Sequence, residues 1–467
     1  MKIYSKIGLF LMLMLLTFGC QKVELRKETT FTKGLLNFSV SIPGQSTEYA
    51  SKIVGPFNDG DTIYIEVPTT EEEPIDVTKL RATASLEHNS HLSPALKGIM
   101  DFTQPFTFQV TDGEGNTKTH IVKVKPTLPR TTFRKLWFQN AEALGILRTN
   151  ISGMAVAGDN LLIADFSGGS AGSETVGVRV HDRSTGSFKK VIPAPTTFCM
   201  QVVADDAGHF VVNRYNIYSA GFILYYYDNV DSQPQTILNY TAAAGAPVEL
   251  GKKVSVIGNL KQGKAFVYAA VPNNQRSQIY YWEFNDGVPV DTTPSIISYA
   301  GASPWNYAVI QRESLAANSG HYLTYCNYNS NDPDRQDGSR FLHFTPTMDV
   351  TPMHTTNHYY KVLDFKVFDI NGGKFLAMLT QGYWAWDATH LKVFDITDPN
   401  NMALVAESEG YRDFMLFESE AYGGTNYNRT GEVAVAIEGK KATIYASMST
   451  NAAANAGVMA YQMTYNR

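Results

Sequence analysis

Apolar and polar positions alternate over short stretches along most of the chain, and downstream of residue 138 these stretches fall into a group that recurs six times. Each group holds an apolar strand, a tight polar turn, a second strand, a longer loop, a third strand, another turn and a short fourth strand. The pattern predicts second strands over residues 161–164, 210–213, 265–269, 322–325, 375–379 and 443–446. It predicts third strands over 176–181, 221–227, 278–284, 340–344, 390–394 and 457–463. Between first and second strands the turns hold Gly158, Gly208, Gly263, Gly320, Gly372 and Gly439, the residue type that reaches positive φ at least cost. A period of about 50 to 65 residues is the spacing of propeller blades or arrays.

The sixth group reaches only its third strand before Arg467. Residues 133–138, just ahead of the first group, alternate in the strand manner and would supply the missing fourth strand. Closing a loop of this length costs on the order of 5 kcal/mol. Burying each of Phe133, Leu136, Trp137 and Phe138 would return roughly 1.5 to 3 kcal/mol at most, so two or three buried side chains and a hydrogen-bonded ladder offset the closure. Six blades is the count the pattern favours. A seventh fits only if a unit hides between residues 411 and 431.

Upstream, alternating stretches at 35–40, 62–68, 80–85, 106–111 and 117–124, broken by Gly-rich turns, fit an immunoglobulin-like sandwich without the cysteine pair of antibody domains. The expectation is therefore all-β: an Ig-like β-sandwich over residues 31–127, then a β-propeller over 128–467 closed by an N-terminal strand. Residues 1–20 read as an export signal, with Lys2 and Lys6 before an apolar run too short to span a bilayer. Residues 21–30 read as a polar tether.

The Gly19-Cys20 junction after that run resembles a bacterial lipoprotein signal, which implies Cys20 as the lipidated first residue of the mature chain. Thr17 departs from the usual Leu three places before the cysteine. The stretch from Asp101 and Phe102, through the turn at Asp112 and Gly113, to residues 119–124 resembles Ig-like modules near the N-terminus of Bacteroidetes surface lipoproteins. The order of lipobox, Ig-like module and propeller is similar to lipoproteins of that group linked with glycan capture. The resemblance implies an address at the outer membrane, attachment to the membrane through the lipid anchor only, and outer-membrane transport proteins as partners. It carries no catalytic residues.

Composition narrows the functional classes. A net charge of −5 across 467 residues, with no basic run, argues against nucleic acid as a partner. Aromatics are plentiful, with 26 Tyr and 25 Phe. Loops that join second to third strands, and one blade to the next, emerge on one face of a propeller, and here they are the longer set, including 407–429. Loops held by a rigid scaffold carry function disproportionately. On that face Tyr383, Trp384, Trp386 and Asp387 share one loop, while Trp305, Asn306 and Tyr307 share another. Flat rings stack on sugar rings, and Asn306, Asp387 and Arg214 supply directed polar groups. A glycan ligand bound through these loops is the leading expectation.

Other chemistry is thinner. Asp332, Asp334 and Asp337 in one loop offer hard oxygen ligands for calcium, without the spacing of an EF-hand; no other cofactor is implied. His354 with His358, and His88 with His91, lack the context of a zinc site. Cys199 and Cys326 fall in strands of different groups, which argues against a bridge between them. There is no Gly-x-Ser-x-Gly elbow or phosphate-cradling loop. Glycoside cleavage needs two carboxylates at a set separation, and Asp165, Asp387, Glu418 and Glu420 are the acids available on the loop face. A glycan-degrading hydrolase or lyase, and a protein-binding scaffold, stand as the alternatives to simple glycan binding.

Overall fold

The computed structural model describes residues 34–466 apart from 54, 71–72, 147–150, 166–176, 218–220, 272–277, 299–306, 327–338, 348–349, 353–359 and 407. The chain is all-β and divides into two compact units, Met1–Pro129 and Arg130–Arg467.

In the first unit two four-stranded sheets enclose one core. The first runs Glu48–Ala50, Leu35–Ser41, Leu80–Leu86 and Ile99–Met100; the second runs Thr62–Pro68, Thr117–Thr127, Phe106–Thr111 and His91–Ser93. Period-two alternation turns Ile63, Ile65 and Val67 inward and leaves Tyr64 and Glu66 exposed. They meet Phe38, Leu80, Phe108 and Val122. Thr62–Pro68 and Thr117–Thr127 run parallel, a pairing that needs a long connection. At the hairpin after Phe106–Thr111, Asp112 Oδ1 accepts from the backbone N–H of Glu114 and Asn116, both at 2.9 Å.

The second unit holds six antiparallel sheets in chain order among the described residues. Their first strands are Ile151–Ala157, Cys199–Ala204, Val254–Gly258, Tyr307–Arg312, Tyr360–Ile370 and Val433–Glu438. Each first strand packs against the first strand of the next sheet, and that of the sixth packs against that of the first. The cycle is one of packing between sheets: each sheet is open and none closes on itself. Five of the six turns between first and second strands use positive φ, at Gly158, Gly208, Gly263, Asn371 with Gly372, and Gly439. The fourth does not, and its Gly320 has another cause: a Cβ there would lie 2.5 Å from Glu313 Oε2 and 2.6 Å from the Phe344 carbonyl oxygen.

Thr131–Asn140 completes the sixth sheet, antiparallel to Gly457–Tyr465 in register from Asn140 opposite Gly457 to Thr131 opposite Tyr465. Strict alternation would put Phe133 and Phe138 on opposite faces, yet both pack on the core shared by the fifth and sixth sheets. The reason is a bulge. Trp137 pairs with Ala460 and Lys135 with Tyr461, which leaves Leu136 as the extra residue and resets the alternation. Leu136 and Trp137 then face the core shared with the first sheet. All four apolar side chains are half-buried, so hydrophobic burial returns less than full cover would and the ladder carries more of the closure.

The stretch 407–429, expected as one long connecting loop, is not all loop. It contains a helical turn, Tyr411–Phe414, and the strand Met415–Glu418, which is the fourth strand of the fifth sheet. No extra unit hides between residues 411 and 431.

Candidate binding site

Second-to-third-strand loops and sheet-to-sheet connections leave the ring at the same end. Over the fifth and sixth sheets these segments are laced together by hydrogen bonds. The Asn426 N–H donates to the Ala385 carbonyl at 2.8 Å, and the Asn451 N–H to that of Thr425 at 3.0 Å. Asn451 Oδ1 accepts from the Thr425 N–H at 2.9 Å, and Asn455 Nδ2 donates to the Gly423 carbonyl at 2.8 Å.

Tyr383, Trp384, Trp386 and Asp387 sit on this laced rim. The Trp384 and Trp386 rings are stacked, centroids 5.1 Å apart and planes 5° from parallel. Tyr383 meets Trp384 edge-on at 4.8 Å and carries the Lys361 ammonium 5.3 Å from its own ring centre, within cation–π range. The series runs outward from a Tyr383 that is 6% exposed to a Trp386 that is 60% exposed, so the outermost indole is held from behind. Arg429 fixes the loop by donating to the carbonyls of Gly382, Tyr383 and Trp384 at 3.3, 2.7 and 3.0 Å. Gln381 Nε2 donates to those of Ala385 and Asp387 at 2.8 and 3.2 Å. A Cβ at Gly382 would lie 2.3 Å from the Asp387 Cβ, so the tight return requires glycine.

The two described polar residues expected at the site lie apart from one another. Asp387 Oδ2 accepts from the Trp384 N–H at 2.7 Å, so this carboxylate shapes the loop that presents the indoles. Arg214 ends the second strand of the second sheet, three sheets from the fifth in either direction round the ring, and does not join the tryptophan loop. Its Nε is buried without a hydrogen-bond partner. Tyr307 opens the first strand of the fourth sheet. Trp305 and Asn306 lie outside the described residues, as do Cys20, Asp332, Asp334, Asp337, His354 and His358. Among the described residues no cluster of three or more His, Cys, Asp or Glu side chains could hold a metal ion.

Of the four acids considered for catalysis, Asp387, Glu418 and Glu420 each engage a backbone, basic or hydroxyl partner. Glu418 Oε1 lies 2.6 Å from Lys392 Nζ and 3.3 Å from His390 Nδ1. Glu420 accepts from Lys135, Tyr422 and Tyr461. Burial works to raise the Glu420 carboxyl, but the Lys135, Tyr461 and Tyr422 hydrogen bonds outweigh it and hold the group at about 2. Asp165 is buried and lines a small pocket with Cys199 and Tyr227. There burial pushes the Cys199 thiol up to about 11, which keeps it out of the thiolate form that nucleophilic chemistry needs.

A second polar cluster, at the same end of the ring axis, was not read from the sequence. Lys253 and Glu432 stand at the heads of the third and sixth first strands, opposite members of the cycle, with Nζ and Oε1 2.5 Å apart. Lys253 also donates to the Gly431 carbonyl at 2.9 Å, and Gln201 Nε2 donates to Glu432 Oε1 at 3.1 Å and to the Ser152 carbonyl at 2.8 Å. Asp364 Oδ2 accepts from the Val433 N–H at 2.6 Å. Burial pushes the Glu432 carboxyl up to about 8, against the pull of Lys253. These residues are buried and bonded to one another across the axis, which makes them a latch. The sequence signal was a polar residue inside an otherwise apolar first strand, Gln201 in Cys199–Ala204.

Comparisons with known proteins bear on the fold. The model of the family described as Domain of unknown function (DUF8500) matches residues 137–459. That of Domain of unknown function (DUF5018) matches residues 15–124. No curated protein matches the chain. The crystal structure of a DUF4623 family protein from Bacteroides eggerthii DSM 20697 is similar in fold, with 13% identity, a TM-score of 0.53, and 93% of this chain and 98% of that chain covered. A subtype N10 neuraminidase-like protein of A/little yellow-shouldered bat/Guatemala aligns over 69% of this chain and 96% of its own, at 10% identity and a TM-score of 0.40. A subtype N11 neuraminidase-like protein of A/flat-faced bat/Peru aligns over 72% and 94%, at 9% identity and a TM-score of 0.42.

Proposed function

This chain belongs to the family described as Domain of unknown function (DUF8500), and we propose that it is a carbohydrate-binding lipoprotein of a bacterial outer membrane. In this reading Cys20 carries the lipid and residues 31–127 form an Ig-like spacer. The six cyclically packed sheets are the blades of a propeller whose loop-bearing rim holds a polysaccharide or glycan. Outer-membrane transport proteins are the partners that such capture would feed.

One observation carries the reading: the stacked Trp384–Trp386 pair, pinned by Arg429 and Asp387, with its outer member 60% exposed on a laced rim. An indole left open on a monomer surface costs solvation, since aromatic rings bury large areas when they can. Held rigidly, it loses little conformational entropy on binding. The free face suits the apolar face of a sugar ring. Trp305, Asn306 and Tyr307 extend the same reading to the connection ahead of the fourth sheet, and the calcium reading of Asp332, Asp334 and Asp337 stays with the sequence.

Affinity electrophoresis of the full-length chain against a panel of soluble polysaccharides tests it. At least one polymer should retard the protein, and Trp386→Ala should abolish most of that retardation while the melting temperature stays put. Unchanged mobility in every gel would sink the glycan reading and leave a protein-binding scaffold. Release of new reducing ends or unsaturated uronates during incubation would turn the reading to a hydrolase or lyase.

A further inference from the structure

Resting on the glycan reading above, we infer that the rim binds an extended chain of neutral sugars, at least two units at a time, with Trp386 and Tyr427 as adjacent stacking subsites. Tyr427 is 72% exposed, more than any other large apolar or aromatic side chain among the described residues. Its segment is tied to the tryptophan loop by the hydrogen bond from the Asn426 N–H to the Ala385 carbonyl, 2.8 Å. Tyr427 and Trp386 are each the next residue after a member of that bonded pair. Both exposed side chains thus stand on adjoining, bonded segments of one rim, so consecutive units of one chain can reach the two aromatic side chains.

The chemistry around the subsites selects the ligand. Within residues 383–387 and 423–431 the only charged side chains are Asp387 and Arg429. Asp387 receives the Trp384 N–H, and Arg429 is spread over three loop carbonyls. Both charges serve the fold of the loop, which leaves stacking as the main attraction and gives acidic sugars no advantage. The neighbouring 449–456 loop presents the small side chains Ala452, Ala453 and Ala454.

Calorimetric titration of the full-length chain with size-graded cello- and manno-oligosaccharides, one to six units, tests this together with affinity gels of glucomannan, mixed-linkage β-glucan and polygalacturonate. Affinity should climb about tenfold or more from the monosaccharide to the tetrasaccharide, and polygalacturonate should retard the protein less than the neutral polymers. Tyr427→Ala should erase most of that climb, Tyr427→Phe should keep it, and Trp386→Ala should weaken binding at every length. A monosaccharide bound as tightly as the hexasaccharide, or Tyr427→Ala indistinguishable from the parent on long chains, overturns the two-subsite inference while leaving glycan binding intact. Preferential retardation by polygalacturonate overturns its neutral-ligand part. Absence of binding to every probe, with Trp386→Ala silent in the gels as well, removes the glycan reading and this inference with it.

Discussion

Trp384 offers its backbone N–H to the Asp387 carboxylate at 2.7 Å, and that contact decides how both indoles are presented. Asp387→Ala leaves the amide without its acceptor and should cost about 1 to 2 kcal/mol. It should also weaken glycan retention nearly as much as loss of an indole does, whereas Asp387→Asn keeps an acceptor and should stay close to the parent. Paired melting curves and affinity gels check both. Elsewhere two histidines tie stability to pH. His181 and His321 are buried, and burial lowers each to about 4. An unfolded imidazole titrates near 6.5, so above that pH neither state is charged and nothing is lost. As pH falls from about 6.5 to 4 the unfolded chain takes up protons that the folded chain refuses, so stability declines across that window and levels off below it. The loss by pH 5 should be roughly 2 kcal/mol per histidine. His181→Asn, which still offers a donor to the Gly186 carbonyl, should flatten its share of the slope in denaturant titrations at pH 7 and pH 5.

The closing strand, Thr131–Asn140, absorbs one surplus residue. With Leu136 bulged out of register, Phe133 stacks on Phe417 at 4.5 Å and Phe138 on Tyr422 at 5.5 Å, while Trp137 turns the other way toward Tyr445 at 6.0 Å. Lys135 fastens the same strand to Glu420 and, at 2.8 Å, to the Tyr422 hydroxyl. Deleting Leu136 removes the bulge but leaves Phe133 and Phe138 four positions apart, so regular alternation keeps their pairings with Met463 and Met459 and both stay on their present face. That deletion should therefore destabilise the ring by about as much as the roughly 2 to 3 kcal/mol expected for Leu136→Ala at a half-buried site. Urea denaturation of the two variants checks this, and a much larger loss for the deletion would show that the bulge itself sets the register. The alternation at 133–138 was enough to expect a strand and its partner. It was not enough to place the faces, since the resetting residue is visible only once the Gly457–Tyr465 register is known.

Across the ring, the Lys253–Glu432 pair joins opposite sheets at the loop-bearing end of the axis. Lys253→Met takes its cation and a hydrogen-bond partner from a buried carboxyl and should cost about 1 to 3 kcal/mol. Adding Glu432→Leu removes the orphaned group, so the double variant should recover most of that stability. A double-mutant cycle by denaturant titration reads the coupling. If the single and double variants were equally unstable, the pair would not be what holds the axis together. Strand order, turn positions and the closing strand were legible in the sequence, because alternation and turn chemistry belong to residues close together in the chain. The tryptophan loop was legible as composition: two indoles within three positions stand out wherever they fold. Tyr427 was not, for nothing near it in sequence marks it as the partner of residue 386. What the order of residues settled alone is an all-β chain of repeated strands with an aromatic loop. What folding had to decide is which distant groups meet: Asp387 turning inward, Arg214 standing apart, and Lys253 reaching a glutamate 179 positions away. The physical reason is that a period-two pattern constrains which face a side chain takes, whereas pairings across a ring depend on how six sheets close and leave no mark on the neighbouring sequence.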